Sequence, residues 1–264
     1  MKPILVCLAV ITFFSANAHA DFKTFRVKSN SELSLPSGCL GSNNNIQLKN
    51  ERISIVKNSG ETYSLGLDDQ PNDLAVIFGS SDDSDICVLA IKYAENDVNE
   101  SFTLFVYDEG SDKYKVSAVP SITNPDFLAG KISSQYNDGP VSHNDMLCFS
   151  RKVKDYYTCE KREQFSEKLE RKQVCGEITC SEPQIVKENT SSMVTAVVVI
   201  SKAYLFNKGD DSRFSQRKAY LVKKDVVTLS DFFQSEDGLY YRITYSGKNK
   251  TEGWVSAAAL SVEY

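Results

Sequence analysis

The chain has 264 residues, 30 of them basic and 35 acidic, with a formal charge of −5 and 41% hydrophobic residues. That length is enough for two ordinary domains, and the mildly acidic balance excludes a general nucleic-acid binder, which needs a basic face. Only two histidines are present, His19 and His143, so a histidine-cluster metal centre is excluded as well.

Residues 1–20 read as a secretory signal. Lys2 gives the positive start, Ile4–Phe14 the apolar segment and Ala18-His19-Ala20 the small-residue cleavage site before Asp21. Cys7 follows Val6 rather than a small residue, which disfavours a lipid anchor. Cleavage would remove Lys2, His19 and Cys7, leaving an acidic, exported chain with His143 as its one histidine and no run long enough for membrane insertion.

From Asp21 to Leu48 the sequence is polar and turn-rich, with Pro36, Gly38 and Gly41 favouring loops or short edge strands. Runs of strand character follow at Arg52–Val56, Thr62–Leu67, Leu74–Phe78, Ile86–Tyr93 and Phe102–Tyr107, each bounded by Asn, Gly, Asp or Ser. The acidic turn containing Asp82, Asp83 and Asp85 reads either as a calcium loop or as solvated acids. Ser134–Asp145 reads as a long polar loop. Tyr136, Asp138 and His143 are its recognition-capable side chains, and an unoccupied hairpin connection is the alternative. Glu160–Lys172, with Phe165 and Leu169 four apart, is the best helix candidate and equally an extended, solvated strand.

Six cysteines remain after the leader: Cys39, Cys87, Cys148, Cys159, Cys175 and Cys180. An even number in an exported chain favours disulfides over zinc, since there is neither a C-x-x-C pair nor a supply of histidines. Cys148 and Cys159 flank a potential hairpin, Cys175 and Cys180 a very short loop, and Cys39 and Cys87 are left for each other. A thiol nucleophile at Cys39 or Cys87 with His143 as base lacks the strand-to-helix turn that such chemistry uses. No spacing of Asp and Glu marks a glycosidase pair. No catalytic residue and no cofactor or metal is therefore expected.

A polar linker, Cys180–Met193, precedes a valine-rich start at Val194. Beyond it, strand-length apolar runs (Val197–Ile200, Ala219–Val222, Val226–Leu229, Tyr240–Tyr245, Gly253–Val255) alternate with turns, the rhythm of a small barrel of about five strands. Five of the chain's 13 tyrosines fall between Tyr204 and Tyr245, and Tyr204, Tyr220 and Tyr240 are expected as contact residues. Tyr240 and Tyr241 should face opposite ways.

The ordered pieces Ala203-Tyr204-Leu205-Phe206, Lys218–Val227, Gly238–Ile243 and Thr251–Val255 resemble a bacterial SH3-like domain. That family usually has Lys-Gly-Asp where this chain has Lys223-Lys224-Asp225, with the glycine allowing a tight turn. Such domains bind peptides, cell-wall fragments or neighbouring domains. From Gly79 to Glu163, the acidic turn, the strand Ile86–Ile91, Phe102–Asp108, Asp112-Lys113-Tyr114, Thr123–Phe127 and Lys131–Pro140 look like a family of periplasmic β-rich proteins that includes lysozyme inhibitors. That family's acidic turn carries an internal glycine, absent here, which disfavours calcium. Because both resemblances are bacterial, the sequons at Asn99, Asn189 and Asn249 are read as chance.

The expectation is a mainly β, disulfide-bonded, periplasmic protein. A signal peptide (1–20) and a β-rich inhibitor-like domain (21–179) lead through a linker (180–193) to an SH3-like barrel (194–264). The expected function is non-enzymatic: an inhibitor or immunity-type protein that binds a cell-wall hydrolase or secreted toxin and occludes its active site. The alternative is a peptidoglycan-binding module acting through the SH3-like domain.

Overall fold

A computed structural model describes residues 22–67, 70, 72–80, 85–128, 130–139 and 141–263. The signal segment, Asp82 and Asp83 lie outside the described residues. The chain is built almost entirely of antiparallel strands, with one short 3-10 turn at Ala257–Ala259. Among the described residues, no helix is long and apolar enough to cross a membrane.

The first sheet is made by β1 (Lys23–Lys28), β6 (Asp73–Ser80), β7 (Cys87–Glu95), β8 (Glu100–Asp108) and β9 (Lys113–Thr123), in that order. A second, inserted between its first two strands in sequence, contains β2 (Ser31–Ser34), β3 (Asn44–Lys49), β4 (Arg52–Lys57) and β5 (Thr62–Ser64). The apolar run Cys87–Ile91 is explained by this stacking. Cys87, Leu89 and Ile91 enter a core shared with Ile46, Leu48, Ile53 and Ile55 of the small sheet. Val88 and Ala90 enter a second core on the opposite face, with Ile132, Leu147 and Tyr156. A strand covered on both faces reads as continuous rather than alternating hydrophobicity.

The third sheet follows chain order: β10 (Asp126–Leu128), β11 (Lys131–Asp138), β12 (Val141–Ser150), β13 (Asp155–Ser166), β14 (Leu169–Val174) and β15 (Gln184–Lys187). The segment 134–145 is thus mostly paired strand, with register running to Asp138↔Val141. Its polar residues are those of a strand pair: Ser134 is buried with its hydroxyl accepting from the Thr123 N–H at 2.9 Å, while Gln135, Asn137 and Asp138 are exposed. Glu160–Lys172 takes the extended alternative, as the β13–β14 hairpin.

The fourth sheet is a half-barrel of seven strands: β16 (Thr195–Val198), β17 (Lys202–Lys208), β18 (Phe214–Val222), β19 (Val226–Ser235), β20 (Gly238–Ser246), β21 (Lys250–Ser256) and β22 (Leu260–Val262), ordered β18-β17-β21-β20-β19-β16-β22. Its core takes in Leu169 of β14 and Ile185 of β15. The segment 180–193 therefore carries a sheet strand whose Ile185 and Val186 are fully buried. Phe165 stacks on Phe232 at 3.9 Å and Arg171 pairs with Asp231 at 2.8 Å, joining the third and fourth sheets.

Three disulfides, Cys39–Cys87, Cys148–Cys159 and Cys175–Cys180, make the pairing favoured by local spacing. They fit a protein folded in an oxidising, exported compartment. Cys39 and Cys87, weighed above as thiol nucleophiles, are joined to each other.

Candidate binding surfaces

Pairing of β11 with β12 sets Tyr136 opposite His143, and the two rings stack at 4.5 Å, nearly parallel. The same cross-strand row continues through Glu163 and Arg171, which form a bidentate ion pair at 2.9 and 3.0 Å. Asp145, next on that face and opposite Lys161, is half-buried. Burial lifts its carboxyl above the ordinary 3.8; Lys161 and His143 oppose that shift and Glu163 adds to it. Burial likewise raises the Tyr136 hydroxyl, helped by Asp145, Glu163 and Asp138. Asp138 is exposed at the end of the hairpin. Tyr136, Asp138 and His143 thus share one hairpin, remote in the strand order from the half-barrel tyrosines.

Those tyrosines separate into two places. Tyr204 and Tyr220 are a cross-strand pair on β17 and β18, in edge contact at 5.9 Å, with the Lys202 ammonium 4.8 Å above Tyr220. Tyr240 and Tyr241 do face opposite ways, and both are buried: Tyr241 in the half-barrel core, Tyr240 stacked on Phe214 at 4.0 Å. Tyr240 belongs to an outer aromatic cluster with Phe206, Phe214, Phe233 and Trp254. Lys208 lies 4.1 Å from the Phe233 ring centre, a cation–π contact.

Beside this cluster the β17–β18 and β19–β20 connections enclose a cleft of about 600 Å³. Phe214 and Phe233 line it together with Asp211, Arg213, Glu236 and Asp237. Arg213 pairs with Asp211 at 3.6 Å, whereas Glu236 and Asp237 make no ion pair among the described residues. The cleft therefore offers aromatic faces under a negative rim, suited to a cationic side chain or amine. The sequence reading, centred on tyrosines, missed Phe206, Phe214 and Phe233. Their signal was the inward pair Ala203 and Leu205, which places Phe206 and Lys208 on the outer face.

The third surface is the ring Cys175-Gly176-Glu177-Ile178-Thr179-Cys180. It is closed by its disulfide and by the Gly176 N–H donating to the Thr179 carbonyl at 2.8 Å. The Cys175 N–H donates to the Cys159 carbonyl, setting the ring beside the Cys148–Cys159 disulfide. The Ser150 hydroxyl donates to the Glu177 carboxylate. Ile178 is 91% exposed, an apolar side chain held outward on a braced loop. Cysteine spacing revealed the ring but not the knob; a ring this small has no interior in which to bury isoleucine.

No known protein family, curated protein or solved structure matches the chain.

Proposed function

We propose that the protein is an exported, non-enzymatic inhibitor or immunity-type protein that blocks a cell-wall-degrading enzyme by occluding its cleft. The observation that carries this reading is Ile178, presented on a loop closed by one disulfide and seated against another. Preorganisation removes much of the ordering cost of binding, which is why braced loops suit occlusion. The surrounding chain supports the reading through the resemblance of Gly79–Glu163 to periplasmic lysozyme inhibitors and a leader at 1–20 directing it to the periplasm. Its acidic balance complements a basic hydrolase. The test is affinity capture from periplasmic and secreted fractions with oxidised protein, followed by activity assays on the retained hydrolase. Stoichiometric inhibition that falls by at least about 30-fold in Ile178→Asp, the effect of losing a hot spot, is expected. Failure to bind any of a panel of muramidases and wall amidases overturns it.

A second reading draws on the aromatic cleft of the half-barrel: an SH3-like module that takes the amine-bearing peptides of peptidoglycan between Phe214, Phe233 and the Glu236/Asp237 rim. Sedimentation with purified peptidoglycan, lost in Phe233→Ala and unaffected by Ile178→Asp, separates it from the first.

A further inference from the structure

The end of the half-barrel opposite the cleft has a different chemistry. β17 runs from Lys202 toward the cleft, β18 returns from it to Val222, and β19 leaves again from Val226. The turns at residues 199–201 and 223–225 therefore lie together at the far end. The Lys224 N–H donates to the Val198 carbonyl and the Val198 N–H to the Asp225 carbonyl, at 2.9 Å each. Six apolar or aromatic side chains are exposed there: Val199, Ile200, Tyr204, Tyr220, Val222 and Val226, each 38–54% accessible. Single exposed hydrophobes are ordinary, but a group that shares strand pairs and adjoining turns marks an interaction surface.

Three lysines stand in the patch. Lys202 pairs across β17–β18 with Val222, and Lys223 and Lys224 form the β18–β19 turn. None of them makes an ion pair among the described residues. The acid of that turn, Asp225, is engaged internally: its carboxylate accepts the Val222 N–H at 2.8 Å and the Tyr245 hydroxyl at 3.3 Å. Lys224 has φ +79°, in the left-handed region that favours glycine. A lysine held there sacrifices local stability and adds a charge to the patch, and such outliers persist where the charge or geometry is used.

We infer that this end of the half-barrel is a docking surface for an anionic lipid bilayer. Valine and isoleucine enter the headgroup boundary, the Tyr204/Tyr220 pair sits at the interface and the three lysines meet anionic headgroups. Docked in this way, the protein points its acidic cleft away from the membrane. A second copy of the chain is a poorer occupant, because two-fold pairing of this end would oppose lysine to lysine.

The test is flotation of the mature, oxidised chain with vesicles of phosphatidylcholine alone or mixed with phosphatidylglycerol. Binding is expected only to the mixed vesicles, weakening as salt rises. Changing Lys202, Lys223 and Lys224 together to glutamate is expected to lower partitioning on the order of a hundredfold. Lys224→Gly separates docking from folding: it should raise the melting temperature by about 2–4 °C while weakening vesicle binding roughly fivefold. Binding to neither vesicle, equal binding to both, unchanged binding in the lysine variants, or a concentration-dependent dimer that buries the patch would each overturn the proposal. Vesicle binding retained in Ile178→Asp and Phe233→Ala distinguishes this surface from the other two.

Discussion

Asp145 and Asp155 show how two acids of one sheet can act in opposite senses. Asp155 is buried and satisfied: its carboxylate accepts from the Ser117 hydroxyl at 2.6 Å, the Ala118 N–H at 3.0 Å and the Tyr156 N–H at 2.7 Å, tying β9 to β13. Asp155→Ala leaves those donors without a partner in the core and is expected to cost about 2–3 kcal/mol, measured as a lower urea midpoint with unchanged slope. The Asp145 carboxylate has no hydrogen bond among the described residues, and burial raises its pKa. The folded chain then binds its proton more tightly than the unfolded chain. The contribution of Asp145 to stability is therefore greatest below the ordinary aspartate value of 3.8 and falls as pH rises through the raised folded value, remaining lower above it. Asp145→Asn should accordingly stabilise the protein at neutral pH and lose that advantage below pH 3.8, provided the ordering of Tyr136, His143, Lys161 and Glu163 around it is kept. Equal effects at both pH values would contradict the assignment.

At the scale of elements, legibility followed burial. β4 and β6–β8 were visible as runs because their side chains fill cores, and β18–β21 because turns of Gly, Asp and Asn punctuate them. β11–β14 were not. One face of these strands is charged, and bulges at Met146/Leu147 and Gln164/Ser166 break the two-residue alternation. The helix-like spacing of Phe165 and Leu169 has a simple origin. They flank the tight β13–β14 turn, and both reach the half-barrel, which imitates an i,i+4 face. The candidate surfaces were read unevenly for the same reason: Tyr136 and His143 were found by residue type, whereas the aromatic cleft depends on a hairpin folding over a sheet. Because Ile185 fills the half-barrel core from outside 194–264, Ile185→Ala should cost about 2–4 kcal/mol. By calorimetry a fragment limited to 194–264 should lack a sharp unfolding transition where the whole chain is expected to give one.

Across the whole molecule the disulfides divide between stability and shape. Cys39–Cys87 spans 48 residues and restrains the unfolded chain most, by about 4 kcal/mol on loop entropy, against about 2 kcal/mol for Cys175–Cys180, which spans 5. Replacing each pair by serine should lower the denaturation midpoint in that order, and on the proposed function loss of Cys175–Cys180, which closes the ring, should weaken inhibition most with the fold intact. The half-barrel divides its charge in a similar way, with the Glu236 and Asp237 carboxylates at the cleft end and Lys202, Lys223 and Lys224 at the other.

The covering of β7 on both faces also determines how slowly its amides trade hydrogen with solvent. Cys87–Ile91 opens only when the layers above and below it separate, so exchange there reports the stability of the sheets that share those two cores. A hydrolase bound to the ring, which belongs to the third sheet, would add its binding free energy to that stability. A few deuterium-labelled peptides at the centre of the first sheet would then register a partner that does not touch them.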